Sequence, residues 1–215
     1  MSAICFSNSS LPNFAWLGRQ DYVVFREKMQ RHARLLQQGE VGEITWSCEH
    51  EPVYTTGRRG IDNRRQADLP AVLINTDRGG ETTYHGPGQI MLYPVLSLRS
   101  RGLGVRDYVY LLEQSCIDLL DHLGIAASRR DGLPGIWVGH AKIAAIGLRV
   151  SHGVVWHGMA LNVSVAPQWF AAINPCGTGL DVSCLSDFTA QPPLAELAEQ
   201  WYGFLLSLLG AEASR

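Results

Sequence analysis

Three short segments carry residue types whose chemistry packing alone does not explain. The first is Asn174-Pro175-Cys176-Gly177. A cysteine between proline and glycine lies on a turn, off any helix stripe or strand alternation, and a rigid open turn presents its sulfur. A cysteine nucleophile also needs a proton acceptor, and His85, His140, His157 and Lys142 are all eligible, with nothing local to choose between them. The second segment runs from Gly139 to Gly147, where Lys142 opens an apolar stretch directly after a turn. Burial disfavours an ammonium ion and lowers its pKa, which makes a lysine a usable base near neutral pH. The competing reading is a strand-edge lysine whose amine reaches out to water. The third segment, Asp77 to Gln89, holds Gly79, Gly80, Gly86 and Gly88. It matches neither of the glycine-rich phosphate signatures, so it reads equally well as a loop that lets a ligand approach bare backbone or as two tight turns around a short strand.

The remaining cysteines differ in setting. Cys5, Cys48 and Cys116 read as small hydrophobes, and Cys184 lacks the turn chemistry of Cys176. Five cysteines without C-x-x-C spacing argue against a disulfide framework and a structural zinc site. Of 18 basic residues only Lys28 and Lys142 are lysines, so arginine supplies the solvating positive charge and a lysine in an apolar setting stands out.

These segments need a scaffold. A chain of 215 residues with 46% hydrophobic and 18% charged residues can bury a full core, which excludes the disordered class. The formal net charge of −2, without a basic block, leaves no nucleic-acid footprint. No export signal or apolar span is visible, so a cytoplasmic protein without a membrane segment is expected. Helices are predicted over Asp21–Gln38, Val105–His122 and Pro193–Leu209 from three- and four-residue apolar spacing, with Gly39 and Gly124 past the first two. The run Phe204-Leu205-Leu206 is assigned to a docked core helix in preference to a membrane or partner surface. Strands are predicted over 43–48, 71–75, 90–98, 135–138, 143–150 and 154–163, the last two as a hairpin around Ser151-His152-Gly153. Residues 57–65, with Arg58, Arg59, Arg64 and Arg65, read as a basic excursion. No repeat or linker divides residues 1–215, so one α+β (mixed α/β) domain is expected.

In order along the chain, RGGETTYHGPGQ (78–89), GHAKIAAIGLRV (139–150), HGMALNV (157–163) and NPCG (174–177) resemble the octanoyltransferases of the lipoate pathway, over about Trp46 to Ser186. The resemblance implies the fold of biotin and lipoate ligases, a mixed main sheet with a smaller sheet and flanking helices. It also implies transfer of an octanoyl group from octanoyl-acyl carrier protein to a lysine of apo lipoyl domains, those of 2-oxoacid dehydrogenase complexes and the glycine cleavage H protein, with no metal or other cofactor. Cys176 would be the nucleophile and Lys142 its base. The acyl pocket would be formed by Arg78, Gly79, Gly80, Glu81, Thr82, Thr83, Tyr84 and His85, by Ala145, Ile146 and Gly147, and by Gly158, Met159 and Ala160. An ATP-dependent ligase of the same fold is the nearest rival. Against it, Gly86 follows His85 where such ligases tend to carry an acidic residue. A binding module without chemistry would be expected to lack Cys176 or Lys142, and both are present.

Overall fold

The computed structural model describes residues 12–60, 69–173 and 181–212. Its elements are β1 (Asn13–Gln20), α1 (Tyr22–Gln38), β2 (Ile44–His50), β3 (Val53–Thr56), β4 (Val72–Asn75), β5 (Thr82–His85), β6 (Gln89–Ser97), α2 (Val105–His122), β7 (Ser128–Arg130), β8 (Leu133–Val138), β9 (Ala141–Ser151), β10 (Val154–Asn162), α3 (Gln168–Ala171) and α4 (Leu194–Glu212). A seven-stranded sheet has the order β1-β2-β6-β10-β9-β8-β7, and a three-stranded sheet has the order β4-β3-β5. Both are mixed: β1 with β2 and β3 with β4 are parallel, and the other neighbours are antiparallel. The expected α+β architecture, with a main sheet, a small sheet and surrounding helices, is present.

The apolar run Ile90-Met91-Leu92-Tyr93 follows from where β6 lies. Ile90, Leu92 and Leu96 enter a core shared with α2 and α4, while Met91, Tyr93 and Val95 enter a second core shared with α1. A strand covered on both faces shows no polar alternation. In α4, Leu197, Trp201, Leu205 and Leu209 are buried against the same core as α2, so Phe204-Leu205-Leu206 belongs to a docked helix.

Helix ends follow local chemistry. Asp21 caps α1 by accepting the Val24 N–H at 2.9 Å, and Gly39 closes it in the left-handed region at φ 77°. The β9–β10 connection is a two-residue turn in which His152 (φ 50°) and Gly153 (φ 80°) are both left-handed and Ser151 pairs with Val154, the geometry that matches strand twist.

Three strands, β1, β3 and β7, carry no clear signal in the sequence. In β1 the register to β2 shifts between Trp16 and Arg19 and Gly18 has φ 63°, which breaks the alternation a strand reading depends on. The expected excursion at 57–65 is corrected at its start. Gly57, Arg58 and Arg59 donate their N–H groups to the carbonyls of Glu81, Arg78 and Gly80, so this stretch is stitched to the glycine-rich segment. Arg64 and Arg65 lie outside the described residues. Among the described residues no helix is long and apolar enough to cross a membrane.

Candidate active site

The hairpin β9–β10 makes a floor almost without side chains. Gly147 pairs with Gly158 and Ala145 with Ala160. A Cβ on Gly147 would come within 3.1 Å of Arg78 Cδ and 3.2 Å of the Gly79 carbonyl, so glycine there lets the 78–80 segment lie close over the sheet. That segment is held by the Gly79 N–H, which donates to Leu148 O at 2.8 Å. A cleft of about 430 Å³ opens between floor and segment. It is lined by Arg78, Gly79, Gly80, Glu81, Thr82, Thr83 and His85 on one side and by Ala145, Ile146, Gly147, Gly158 and Ala160 on the other. Lys142, Leu133, Pro134 and Val182 stand in the same wall.

Two residues expected in the pocket turn away from it. Tyr84 lies in the small core, its ring stacked on Trp169 at 4.8 Å, and Met159 is fully buried in the core shared with α2 and α4. Contiguity within a motif suggested both, but successive strand residues point to opposite faces. Conversely, Tyr22, Gln89, Met91, Tyr93, Val109 and Asn162 line the cleft and were not singled out by the motifs' chemistry.

Lys142 does not reach for water. It is 8% exposed, and its Nζ donates to the Pro134 carbonyl at 2.9 Å and lies 4.7 Å from the centre of the Trp137 ring. Its backbone forms a second fixture: the Lys142 N–H donates to Asp181 O at 2.8 Å and its carbonyl accepts the Ser183 N–H at 3.1 Å. The Asn162 amide donates to Ser183 O at 3.2 Å and accepts from Gln89, so the 181–184 segment joins the polar network of the cleft. Cys176 lies outside the described residues.

The other candidate bases separate by position. His140 is exposed beside Arg130 and is not part of the cleft wall. His85 is buried with Nδ1 2.8 Å from Gln89 Oε1, and burial, reinforced by the Arg78 and His50 charges, pushes its pKa well below the ordinary value. His50, bonded to Tyr93 at 2.9 Å, is lowered by burial to about 4. His157 sits in the left-handed region at φ 60°, where the pairing of β10 with β6 is interrupted opposite Pro94, a residue with no N–H to give, and resumes in the same register at Met159. Its Nε2 is 2.8 Å from Asp77 Oδ1. Burial lowers His157 despite that bond, whereas at Asp77 burial, the largest single influence, is outweighed by the bond to His157, the attraction of its charge and the hydrogen bonds from the backbone and Gln30 taken together, which bring the carboxyl down to about 2. Neutral imidazoles therefore line the cleft at neutral pH, and the buried Arg78 guanidinium, donating to Thr55 O and Oγ1 and to Gly79 O, supplies a fixed cation.

Cys184 is buried, its Sγ donates to Val165 O at 3.3 Å, and burial raises its thiol to about 11. Acylation of the protein is accordingly expected to be unchanged in Cys184→Ala, read as intact mass after exposure to an acyl thioester. Loss of the adduct in that variant would put the nucleophile at Cys184. Among the described residues no group of three or more His, Cys, Asp or Glu side chains is placed to hold a metal ion.

Residues 24–202 match the family model described as lipoyl protein ligase A/B catalytic domain, and the chain belongs to that family. Its curated relatives then place it among the acyltransferases of the lipoate pathway. It is 47% identical over 172 residues to an octanoyltransferase of Xanthomonas axonopodis pv. citri, covering 80% of this chain and 74% of that protein. It is 45% identical over 194 residues to an octanoyltransferase of Dechloromonas aromatica, covering 90% and 94%. At the level of fold, a lipoate protein ligase homologue of Thermoplasma acidophilum solved with bound lipoic acid superposes with TM-score 0.75 at 18% identity, covering 94% of this chain and 87% of that one.

Proposed function

We propose that the cleft binds an octanoyl chain, that Cys176 takes it from octanoyl-acyl carrier protein as a thioester, and that the acyl group then passes to a lysine amine of an apo lipoyl domain. The observation that carries this reading is Lys142, a buried amine held at the wall of a cleft floored by Gly147, Gly158, Ala145 and Ala160. Its volume lies toward the lower end of the ~300–1,000 Å³ typical of small-molecule sites. Burying the six methylenes of an octanoyl chain at ~0.8 kcal/mol each contributes about 5 kcal/mol toward binding.

The steps balance without an external energy source. The Lys142 amine takes the Cys176 thiol proton, the thiolate attacks the thioester carbonyl, and the carbon–sulfur bond to the carrier breaks. The proton on Lys142 goes to the departing carrier thiol. One thioester replaces another, so this half is close to isoenergetic. The acceptor amine then attacks acyl-Cys176, Lys142 takes the amine's proton, and the cysteine sulfur leaves. Covalent connection supports the pairing: Asp181, whose carbonyl accepts the Lys142 N–H, is five positions after Cys176, and five extended steps span at most about 18 Å. The cleft's own histidines, lowered by burial, and an Asp77 engaged with His157 leave Lys142 as the base this mechanism uses.

Incubation with octanoyl-acyl carrier protein in the absence of ATP is expected to add one octanoyl mass, removable by hydroxylamine. An adduct that forms only with ATP and free octanoate would replace this reading with ligase chemistry. Release of free octanoate faster than transfer to a lipoyl domain would replace it with a hydrolase.

A further inference from the structure

We infer that Glu113 is a positioning residue for Lys142, acting through the peptide group that joins Pro134 to Gly135. The inference rests on the role proposed for Lys142. Glu113 projects from α2 and is 7% exposed. Its Oε1 accepts the Gly135 N–H at 2.9 Å, and its Oε2 accepts Arg129 Nε at 3.2 Å. The Gly135 N–H and the Pro134 carbonyl belong to one planar peptide unit, and that carbonyl is the one Lys142 Nζ donates to at 2.9 Å. An acceptor on the N–H side thus fixes the rotation of the plane whose oxygen faces Lys142 Nζ.

The unit can be so placed only because residue 135 is glycine. It has φ 113°, and a Cβ there would lie 2.4 Å from Ala144 O. Glu113 is not part of the cleft wall, so it has no direct claim on substrate. A buried carboxylate inside an apolar helix face is costly unless it is engaged, and here both oxygens are engaged, one by a cation and one by the peptide under the catalytic amine. Arg129 is itself held by Gln114 Oε1 and Tyr110 O, so the carboxylate is braced from the side away from Lys142.

The test exploits a chain with two lysines. Protein labelled with 13C and 15N in lysine gives side-chain signals from Lys28 and Lys142 alone. Glu113→Asp keeps the charge but withdraws the acceptor, whereas Glu113→Gln keeps an acceptor for the Gly135 N–H without the charge. In Glu113→Ala and Glu113→Asp the Lys142 signals are expected to shift while those of Lys28 stay, and in Glu113→Gln both are expected to stay. For octanoyl transfer, Glu113→Ala and Glu113→Asp are expected to lose about 10- to 100-fold in kcat with KM for the carrier unchanged, the scale of a small misplacement of a reacting group. Glu113→Gln is expected to remain within about threefold of the parent on the same positioning argument. Unmoved Lys142 signals in Glu113→Asp, or kcat unaffected there, would overturn the inference. So would a Glu113→Gln protein as impaired as Glu113→Asp. If Glu113→Ala does not fold, the Asp and Gln variants carry the comparison. Failure of the parent protein to transfer octanoate would count against the proposed function, while the lysine spectra would still decide the positioning.

Discussion

Lys142→Arg is expected to stay folded and to lose about 10²- to 10⁴-fold in octanoyl transfer, the range that general acid–base catalysis supplies. Arginine keeps a positive charge beside Trp137, so a residue needed only as a cation would tolerate the change. Guanidinium, with a pKa above 12, is never neutral in a protein and cannot collect a proton from a thiol or an amine. The two half-reactions should therefore separate. A fixed cation still favours a thiolate, so some acylation of Cys176 should persist, while transfer to the acceptor amine stalls. Single-turnover measurement of each half resolves this. Turnover within a few-fold of the parent would demote Lys142 to an electrostatic partner and return the base to His85, His157 or water.

Cys176→Ala is expected to abolish the hydroxylamine-labile octanoyl adduct and to reduce transfer by on the order of 10⁶, the scale on which acyl-enzyme catalysts fall when their nucleophile is removed. Intact mass after incubation with octanoyl-acyl carrier protein checks the first statement, and transfer to an apo lipoyl domain checks the second. Retention of transfer without an adduct would mean direct attack of the acceptor amine on the carrier thioester, templated by the cleft. An adduct surviving at full level would place the nucleophile elsewhere.

Much of this site was legible from residue types because glycine and proline constrain backbone wherever they occur. The turn at His152-Gly153 and the short strand inside the 77–89 segment follow from that constraint, whereas Gly147 and Gly158 were marked by the family resemblance. The burial of Lys142 was an open choice in the sequence, since its partner is the carbonyl of Pro134, which carries no side-chain signal. Glu113 was invisible for a related reason. It lies inside an apolar helix face, and what it binds is a backbone N–H on another element. Tyr84 and Met159 were misplaced although period-two alternation in a strand speaks against assigning consecutive residues to one surface. Alternation separates Met159 from Gly158 and Ala160, but Thr82 with Thr83 and the run Ala145-Ile146-Gly147 all line the cleft, so it does not by itself mark the walls.

The two-residue turn between β9 and β10 has a consequence for how the molecule assembles. Closing a loop costs entropy that rises with its length, and β7–β8, β8–β9 and β9–β10 are each closed by a two-residue connection, at Arg130↔Leu133, Val138↔Ala141 and Ser151↔Val154. Hairpins of this kind form in about 1–10 μs, whereas β6 must find β2 and β10 across intervening helices and strands. The run β7 to β10, which includes the floor carrying Gly147, Gly158 and Lys142, is therefore the part of the main sheet joined by short local closures. The 78–80 segment, the small sheet and Glu113 on α2 arrive by longer searches. The reactive surface is thus laid down as a local structure, and the walls that give it an interior are added to it.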